Sequence, residues 1–397
     1  MWLVQNRKLN IMVTIEELFT YKNLNDTFYE CFAANTDKHS NRVYYNGLLF
    51  NNLDLLDDLV SGRYRVSPTA HATIRERGKI REIESPVMRD RIVQKIICKQ
   101  VFVKQLVPKF IYDNYSSVKH RGTTMARKRF ENMLYKFLRQ IDYDYGNKGF
   151  IVLVDVKKFF NNIDHEVLKS MLAKDLDVSD ELLHLIFYLI DESSEGGTGL
   201  NLGSELPQIL AMYYLSKMDN YLKCRMGVKF YGRYADDIAV IVETKEEAYE
   251  VLEAIRWQLS KVKLEVNTKK TQIVKIKHGF TYLQTNYKVV KRDGAYKVLK
   301  TPTRAKITRE RRRIKAHERQ VTAGKLQFSD VYYWYKAYRC SLLTDYNAIE
   351  KTLKSLDDLF DSLFEGYVLP EKPTRTAILL ERSNSWNRKQ KSYLQAA

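Results

Sequence analysis

Residues Phe230 to Glu243 read FYGRYADDIAVIVE, and this stretch decides the fold. On its N-terminal side apolar residues alternate with polar and basic ones, and Ile238 to Val242 is a run rich in β-branched residues. Such runs on either side of a short polar break are typical of a β-hairpin. The pattern therefore predicts that Asp236 and Asp237 lie at or beside a hairpin turn.

A third aspartate upstream changes how this pair is interpreted. An Asp-Asp turn by itself is most often structural, because Asp is a common turn residue. Gly149 to Asp155, however, reads GFIVLVD, which predicts a buried strand that ends in an aspartate. Adjacent carboxylates repel each other unless a cation lies between them, and Mg²⁺ prefers such hard oxygen ligands. The three aspartates together therefore indicate a two-metal phosphoryl-transfer site.

The composition points to a polyanionic partner. The 397 residues carry a formal net charge of +18, a sequence pI of about 9.4 and 45% hydrophobic residues. The hydrophobic fraction is sufficient for a real core, and the length predicts two or three subdomains. The basic excess suggests nucleic acid as the partner, although charge alone does not separate such a protein from a merely basic soluble one.

Cysteine spacing and hydropathy predict a cytoplasmic protein. The four cysteines are scattered and form no CxxC pair, so we expect reduced, mostly buried thiols. Residues 1–12 hold only short apolar runs broken by polar and basic residues, unlike a signal peptide. No apolar run approaches the length of a membrane span, so we expect no membrane partner.

The motifs resemble the palm of a reverse transcriptase. YADD at Tyr234 to Asp237 follows the strand-end aspartate in VDVKKFF, and the other motifs occur in that family's order over roughly residues 50 to 370. Within the family, the motifs resemble those of prokaryotic enzymes of the YADD type. It implies an α+β fold: a right-hand polymerase with fingers, a palm of antiparallel sheet on helices, and a helical thumb. The implied segments are an N-terminal helical extension (1–60), fingers (61–148), palm (149–295, with a loop and helix at 195–222), thumb (296–380) and a flexible tail (381–397).

The resemblance also assigns a catalytic centre. It implies two Mg²⁺ ions, with Mn²⁺ as an alternative, and a metal-binding set of four residues. These residues are Asp155, Val156, Asp236 and Asp237. The motif LEVNTKKTQI, interpreted as a strand with a turn, resembles the next palm motif, whose lysine sits near the leaving pyrophosphate. Lys270 is the matched position and Lys269 is the alternative.

Two stretches before the palm resemble the fingers motifs. KIREIESPVMRDRIVQ is similar to the first motif and SSVKHRGTTMA to the second. By position, Lys79 and Arg81 would contact the triphosphate, and Arg91 and Arg121 are further candidates. Cations here would hold a triphosphate and the template backbone. The alternative for each single residue is a solvated basic surface.

An aromatic residue after the first palm strand is implied to select the sugar. In the family, an aromatic five residues after the strand-end aspartate stacks under the sugar and blocks a 2′ hydroxyl. Phe160 occupies that position and is the expected steric gate that favours dNTPs. Its neighbour Phe159 is equally well interpreted as a core residue.

The loop before the next helix departs from the family motif QGxxxSP. Leu202 stands where Gln is usual, Gly203 is kept, and Pro207-Gln208 replaces Ser-Pro. This variant resembles reverse transcriptases of diversity-generating retroelements and of related antiphage systems. Gly203 and Gln208 are the implied substrate contacts. HGFTYLQTNY resembles the primer-grip hairpin, with Gln284 in place of a glycine.

From about residue 300 the composition predicts a three-helix thumb. Its first helix, in TPTRAKITRERRRIKAHERQ, is densely basic, and we expect four of its residues to contact a nucleic-acid backbone. These residues are Lys306, Arg309, Arg312 and Arg313. The alternative is a solvated charge run. SDVYYWYKAYRCSLL predicts the second helix, and a third is expected to run from Thr344.

Together these features predict an RNA-directed DNA polymerase that copies a noncoding RNA template into cDNA from dNTPs, in bacterial antiphage defence. Two alternatives stay open: a template-independent or protein-primed nucleotidyl transferase of an abortive-infection system, and a mutagenic reverse transcriptase of a diversity-generating retroelement. Retention of the three aspartates and Phe160 argues against an RNA-binding scaffold with an inactive palm. Besides RNA and the DNA product, the expected partner is a second copy of the chain or a protein from the same locus.

Overall fold

The computed structural model describes residues 12–369, apart from residues 35, 37, 77–78, 142–145, 195, 202 and 293. It does not describe the side chains of residues 70–72, 74–76, 79, 81–82 and 292. The side chains of Lys79 and Arg81, residue Leu202 and the tail 381–397 therefore lie outside the described residues. The chain divides into two compact units, Met1–Leu299 and Lys300–Ala397, which are described separately. The finer boundaries between extension, fingers, palm, thumb and tail stay a prediction.

The first unit is built around a four-stranded antiparallel sheet. Its strands, in the order β4-β5-β3-β6, are Phe230–Tyr234, Asp237–Val242, Phe150–Asp155 and Gln272–Lys275. The β-branched runs of β3 and β5 favour this pleated arrangement, because such side chains pack well on a sheet buried on both faces. The predicted hairpin, the predicted strand ending in Asp155 and the α+β class are confirmed.

Helices cover one face of this sheet. They are α8 (His165–Asp175), α9 (Asp180–Asp191), α10 (Glu205–Tyr214), α11 (Ser216–Asn220) and α12 (Lys245–Ser260). Val152, Val154 and Val240 point to this side and belong to one continuous apolar core with the helices. Asp164 caps α8 as predicted, since its side chain accepts a 2.9 Å hydrogen bond from the backbone N–H of Val167.

The other face of the sheet meets α7 (Thr123–Gln140) and a second sheet. The second sheet has the order β7-β8-β9, with strands Phe280–Tyr282, Thr285–Arg292 and Ala295–Pro302. Ile151, Ala239 and Ile241 pack here, alternating with the residues that face the helices. Asp155 lies four residues after Ile151 in β3, so its side chain points to the same face of the sheet, towards this second core.

The remaining part of the first unit is helical apart from one hairpin. The helices are α1 (Ile15–Leu18), α2 (Tyr21–Ala33), α3 (His39–Asn46), α4 (Leu48–Val60), α5 (Met88–Ile97) and α6 (Val103–Gln105), and the hairpin pairs β1 (Ala70–Glu76) with β2 (Lys79–Ser85). The predicted capping box of Thr14 and Glu17 is present. The helix it starts ends after four residues, because Thr20 caps α2 separately.

The second unit is a three-helix arrangement, as predicted. Its helices are α13 (Arg304–Thr322), α14 (Phe328–Asp345) and α15 (Glu350–Leu363). The expectation that the last helix runs from Thr344 is wrong, because Thr344 lies within α14 and α15 begins six residues later. Leu353, Leu356 and Phe360 line the buried face of α15, at the spacing of one helical stripe.

Burial and hydropathy bear on two further expectations. Cys31 and Cys98 are buried free thiols, but Cys224 and Cys340 are exposed, so the expectation of mostly buried thiols holds for only half of them. Among the described residues, no helix is both long and apolar enough to cross a membrane.

Candidate active site

The β4–β5 turn carries the aspartate pair. Tyr234 pairs with Asp237 across the hairpin, so Ala235 and Asp236 form a two-residue turn. Ala235 adopts a left-handed conformation with φ of +53°, which two-residue hairpin turns require and which costs a non-glycine residue of order 1 kcal/mol. The surrounding structure must therefore hold this turn in place.

The register of the sheet brings the third aspartate to the pair. Asp155 is directly opposite Asp237 on the neighbouring strand, so their Cβ atoms are roughly 5 Å apart, as in any antiparallel pair. The backbone N–H of Val156 donates a 3.4 Å hydrogen bond to the carbonyl oxygen of Asp236. The side chain of Val156 is buried. The structure thus places all four predicted metal-binding residues at one end of two adjacent strands.

Asp155 is held by two residues of the loop before β6. The Asn267 side-chain amide donates a 2.9 Å hydrogen bond to Oδ2 of Asp155, and the Lys270 ammonium forms an ion pair with Oδ1. The backbone N–H of Asn267 also donates to the carbonyl oxygen of Asp155, at 2.7 Å. Lys269 makes no such contact: its backbone N–H donates to the Asn267 side chain, and its side chain is exposed. Of the two candidate lysines, Lys270 is the one at the site.

The prediction of a strand with a turn over LEVNTKKTQI is confirmed, with the turn preceding the strand. The strand β6 begins at Gln272, and the residues before it form a turn in which the Asn267 carbonyl accepts hydrogen bonds from Lys270 and Thr271. The Asn267 side chain stabilises this turn locally, as Asn commonly does. That turn is what carries Lys270 to Asp155.

The electrostatics of the site favour a charged lysine. The hydrogen bond to Asp155 raises the pKa of Lys270, and the negative charges of Asp155, Asp236 and Asp237 raise it further. The side chain of Lys270 is 53% exposed, so water screens part of this attraction.

Asp155, Asp236 and Asp237 are the candidate ligands for a divalent cation. Three carboxylates on adjacent strands are the hard oxygen donors that Mg²⁺ and Mn²⁺ prefer. Within the described part of the chain, however, no three His, Cys, Asp or Glu side chains are arranged so that they could hold an ion together. One physical reason is visible, because both oxygens of Asp155 are turned to Asn267 and Lys270. The residues fit a metal in type and strand position, and a bound cation would compete with Lys270 and Asn267 for the carboxylate of Asp155.

A buried ion pair behind the turn escaped the sequence analysis. Arg233 is 0% exposed, and its guanidinium makes a bidentate contact with the buried carboxylate of Asp219, with N–O distances of 2.6 to 3.0 Å. The hydroxyl of Tyr231 donates to the same carboxylate. Nη1 of Arg233 donates a 3.0 Å hydrogen bond to the carbonyl oxygen of Ala235, the strained turn residue. Arg233 therefore ties the aspartate turn to α11.

The backbone of Arg233 is also anchored by the segment that holds Asp113 and Tyr115. Its N–H donates to the carbonyl of Asp113, and its own carbonyl accepts from the N–H of Tyr115, at 2.9 and 3.0 Å. The ring of Tyr115 lies so close to Gly232 that a Cβ there would be 3.0 Å from a ring carbon. A glycine in β4 thus allows the segment of Asp113 to Tyr115 to pack against the β4–β5 hairpin.

Of the four predicted triphosphate contacts, the structure describes the side chains of Arg91 and Arg121. Arg91 donates from Nη2 to Ser85 Oγ and to the carbonyl of Pro86, which ties the end of β2 to α5. Arg121 donates from Nη1 to the carbonyls of Ile111 and Asn114. Both guanidinium groups therefore have structural partners.

The two phenylalanines after Asp155 differ as expected. Phe159 is buried in the core at 3% exposure, whereas Phe160 is only half-buried and contacts the edge of the Phe159 ring at 5.3 Å between centroids. The backbone around them is well defined, since the Phe160 carbonyl accepts a 2.9 Å hydrogen bond from Leu200.

Gly203 makes its closest contact with the hairpin of β1 and β2. A Cβ at Gly203 would be 1.8 Å from the carbonyl oxygen of Glu84 in β2, and φ is +156°, so only glycine fits. Gln208 is exposed on the first turn of α10, while Pro207 is buried. In the β7–β8 turn, Leu283 and Gln284 adopt φ of +45° and +60°, so Gln284 takes the left-handed conformation that a glycine would favour.

The predicted backbone contacts of the second unit share one side of α13. At 100° per residue, Lys306, Arg309 and Arg313 fall within about 60° and Arg312 adjoins them. Lys306 donates a 3.0 Å hydrogen bond to the hydroxyl of Tyr346, and Arg313 stacks on Trp334 with 4.6 Å from Cζ to the ring centroid. Arg312 is exposed.

Comparison with known proteins shows similarity to a family, to a curated protein and to a solved structure. A model of the family described as reverse transcriptase (RNA-dependent DNA polymerase) matches residues 71–287, more than half of the chain. The chain is 22% identical over 285 residues to "Protein YkfC" of Escherichia coli (strain K12), covering 61% of this chain and 72% of that protein. It is similar, with a TM-score of 0.42 and 15% identity, to the structure of apo telomerase from Candida Tropicalis truncated from the C-terminal domain. That similarity covers 60% of this chain, which spans 58% of the telomerase chain.

Proposed function

This chain belongs to the reverse transcriptase (RNA-dependent DNA polymerase) family, and on that premise we propose that it copies a noncoding RNA template into cDNA by two-metal phosphoryl transfer. The observation that carries the proposal is the register of the palm sheet, which sets Asp155 opposite Asp237 with Asp236 in the adjoining turn. This is the disposition of carboxylates that two-metal nucleotidyl transfer uses.

Each residue of the site has a role in this proposal. Asp155, Asp236 and Asp237, with Val156, would hold two Mg²⁺ ions, which activate the attacking 3′ hydroxyl and stabilise the leaving pyrophosphate when bound. Lys270 would leave Asp155 and stabilise the negative charge on the leaving pyrophosphate. Its raised pKa keeps the ammonium charged for this role. The Arg233–Asp219 pair keeps the aspartate turn rigid during this exchange.

The biological setting that we favour is bacterial antiphage defence. Its support is the loop variant around Gly203, Pro207 and Gln208, which resembles that of antiphage and diversity-generating reverse transcriptases. The resemblance is an analogy at the level of the family and not a property of the site chemistry. A mutagenic retroelement enzyme is the other system compatible with the same loop.

A defined-template assay tests the proposed reaction. The full chain is given dNTPs, Mg²⁺ and an RNA of known sequence annealed to a DNA primer, and the product is sequenced. We expect DNA complementary to the RNA. Random or homopolymeric DNA made without the RNA would instead identify a template-independent transferase, and sequencing of RNA and DNA that copurify with the protein would then name its product.

Sugar selection offers a separate prediction at Phe160. Phe160→Ala should lower the preference for dNTPs over rNTPs by about 100-fold, because a pocket that no longer excludes the 2′ hydroxyl discriminates weakly against it. The measurement is kcat/KM for dGTP and rGTP with the same primer and template. Phe159→Leu is the matched control, since that ring lies in the core and its loss should lower stability without changing sugar preference. Unchanged selectivity in Phe160→Ala would remove the gate assignment.

A further inference from the structure

A basic cavity lies away from the aspartates, between α7 and the β8–β9 hairpin of the first unit. Its volume is about 560 Å³, within the range of ligand-binding cavities. Six of the lining side chains carry its chemistry: Arg129, Asn132, Tyr135, Lys136 and Arg139 from the helix, and Tyr296 from the hairpin. Neither Asp155 nor any other residue of the active site lines it.

The helix presents these groups on one continuous stripe. Arg129, Asn132, Lys136 and Arg139 are spaced by three, four and three residues, which places them one above another along three turns. The opposite side of α7, with residues such as Phe130 and Leu134, is buried in the core. Three of the five cations of α7 border the cavity, and no carboxylate is among its described lining residues.

The three cations differ in whether a partner within the protein already balances their charge. Arg129 is bound to the buried Asp113, with N–O distances of 2.9 and 3.1 Å, so its charge is already balanced. Lys136 is exposed and has no hydrogen-bond or ion-pair partner among the described residues. Arg139 is exposed and, among the residues that the structure describes, donates only to the carbonyl oxygen of Tyr135 in its own helix, at 3.3 Å. Lys136 and Arg139 can therefore bind an external anion.

Two tyrosines give the cavity aromatic surface beside the cations. The hydroxyl of Tyr135 accepts a 3.1 Å hydrogen bond from the backbone N–H of Val298, which fixes its ring against β9. Tyr296 is half-buried, and the ammonium of Lys291 lies 5.1 Å from its ring centroid. Cations that can bind phosphate next to aromatic faces that can stack on bases are the combination used to bind single-stranded nucleic acid. A free phosphate would need only the cations.

The cavity is linked to the catalytic centre through the second sheet. Tyr282 of β7 packs in the same apolar core as Ala239, which lies two residues after Asp237 in β5. From the β7–β8 turn, the eight residues of β8 run about 25 Å to the hairpin tip at the cavity. A nucleic-acid strand that is bound at the active site could therefore extend along β8 to the cavity.

We infer that this cavity binds a single-stranded segment of the RNA template outside the catalytic centre, an inference that rests on the proposed copying of RNA. Lys136 and Arg139 contact its phosphates, and Tyr296 stacks on a base. Such a contact holds the template when the hybrid at the active site is short.

The test compares two substrates that differ only in a single-stranded extension. One is a short RNA–DNA hybrid primer–template, and the other carries an added 20-nucleotide single-stranded RNA tail. For K136Q/R139Q we expect the Kd of the tailed substrate to rise about tenfold and the Kd of the short hybrid to stay unchanged. The slope of log K against log salt for the tailed substrate should fall by about 1.4, for two lost phosphate contacts.

Two controls make the outcome specific. K104Q/K174Q removes two exposed lysines on α6 and α8, at the helix-covered side of the sheet, and should leave both Kd values unchanged. Tyr296→Leu should weaken binding of the tailed substrate about tenfold, whereas Tyr296→Phe should retain it. Equal losses in both double variants, or for both substrates, would mean a diffuse charge effect and overturn the inference.

The same samples separate this inference from the proposed function. Extension of the short hybrid by the unmodified chain reports the polymerase reaction itself. If extension is normal but K136Q/R139Q binds the tailed substrate as tightly as the unmodified chain, the strand site is absent and the polymerase assignment stands. If the unmodified chain extends neither substrate, the proposed function fails.

Discussion

Asp155→Asn is expected to lower the rate of DNA synthesis about 1000-fold or more while leaving template binding unchanged. The substitution removes a negative charge from the carboxylate that faces Asp237 across the strand pair. A catalytic metal is worth several kcal/mol of transition-state stabilisation, and each 1.36 kcal/mol is a factor of ten in rate. The measurement is single-turnover primer extension on an RNA template, with template affinity determined in parallel.

The isosteric change is chosen because it keeps the hydrogen bond with Asn267, although it loses the ion pair with Lys270. Asparagine can still accept the hydrogen bond that Asn267 donates to Asp155, so the strand end should keep its position. Asp54→Asn on α4 is the matched control, since Asp54 is exposed and far along the chain from the palm. Full activity of Asp155→Asn would exclude the proposed metal site, and loss of template binding together with activity would point to misfolding instead.

Asp219→Ala is expected to be the most destabilising single change near the site. It would leave the fully buried guanidinium of Arg233 without its carboxylate, and breaking a buried pair in this way costs about 3–5 kcal/mol. Tyr231 would lose its partner at the same time. The free energy of unfolding, measured by denaturant titration with a probe in the first unit, should fall by that amount.

A similar trio in the second unit provides the control. Asp357 also joins an arginine and a tyrosine, Arg339 and Tyr335, but the Arg339 and Asp357 side chains are 37% and 29% exposed. Asp357→Ala should therefore cost only about 1 kcal/mol. Equal effects of the two substitutions would show that burial of the Arg233 pair is not what gives it its strength.

The conservative change Arg233→Lys separates stability from positioning. Lysine keeps the charge opposite Asp219 but cannot reproduce the bidentate contact together with the bond to the Ala235 carbonyl. We expect a fall in kcat with little change in KM for dNTP, because the aspartate turn loses its support while nucleotide contacts stay. An equal change in both parameters would indicate a general loss of structure.

Part of the site could be predicted from sequence because its signals are local. An aspartate pair between a strand of alternating residues and a β-branched run predicts a hairpin turn, since period and turn chemistry are properties of neighbouring residues. The strand ending in Asp155 and the cap at Asp164 follow from similarly short patterns. The order of these motifs along the chain also sufficed to identify the resemblance.

Other features depend on residues that are distant in the chain. Arg233 stands in an apolar strand, and nothing local indicates that Asp219, fourteen residues earlier, neutralises it. The pattern of LEVNTKKTQI predicts a turn but does not show that this turn lies against Asp155, because Asn267 and Asp155 are 112 residues apart in the chain. The sequence of α7 does not indicate what its stripe of cations binds. Only the tertiary structure shows that the β8–β9 hairpin places Tyr296 at the same cavity.

The sequence by itself determined that this protein has a hairpin with two aspartates at its turn, a third aspartate at a strand end and a basic helical C-terminal region. These are short-range properties, encoded by hydrophobic period, turn residues and composition. Only the tertiary structure decided that Asp155 faces Asp237, that Lys270 pairs with Asp155 and that Arg233 supports the turn. Each of these contacts joins separate elements, so its energy is set by sheet register and burial, which no single stretch of the chain specifies.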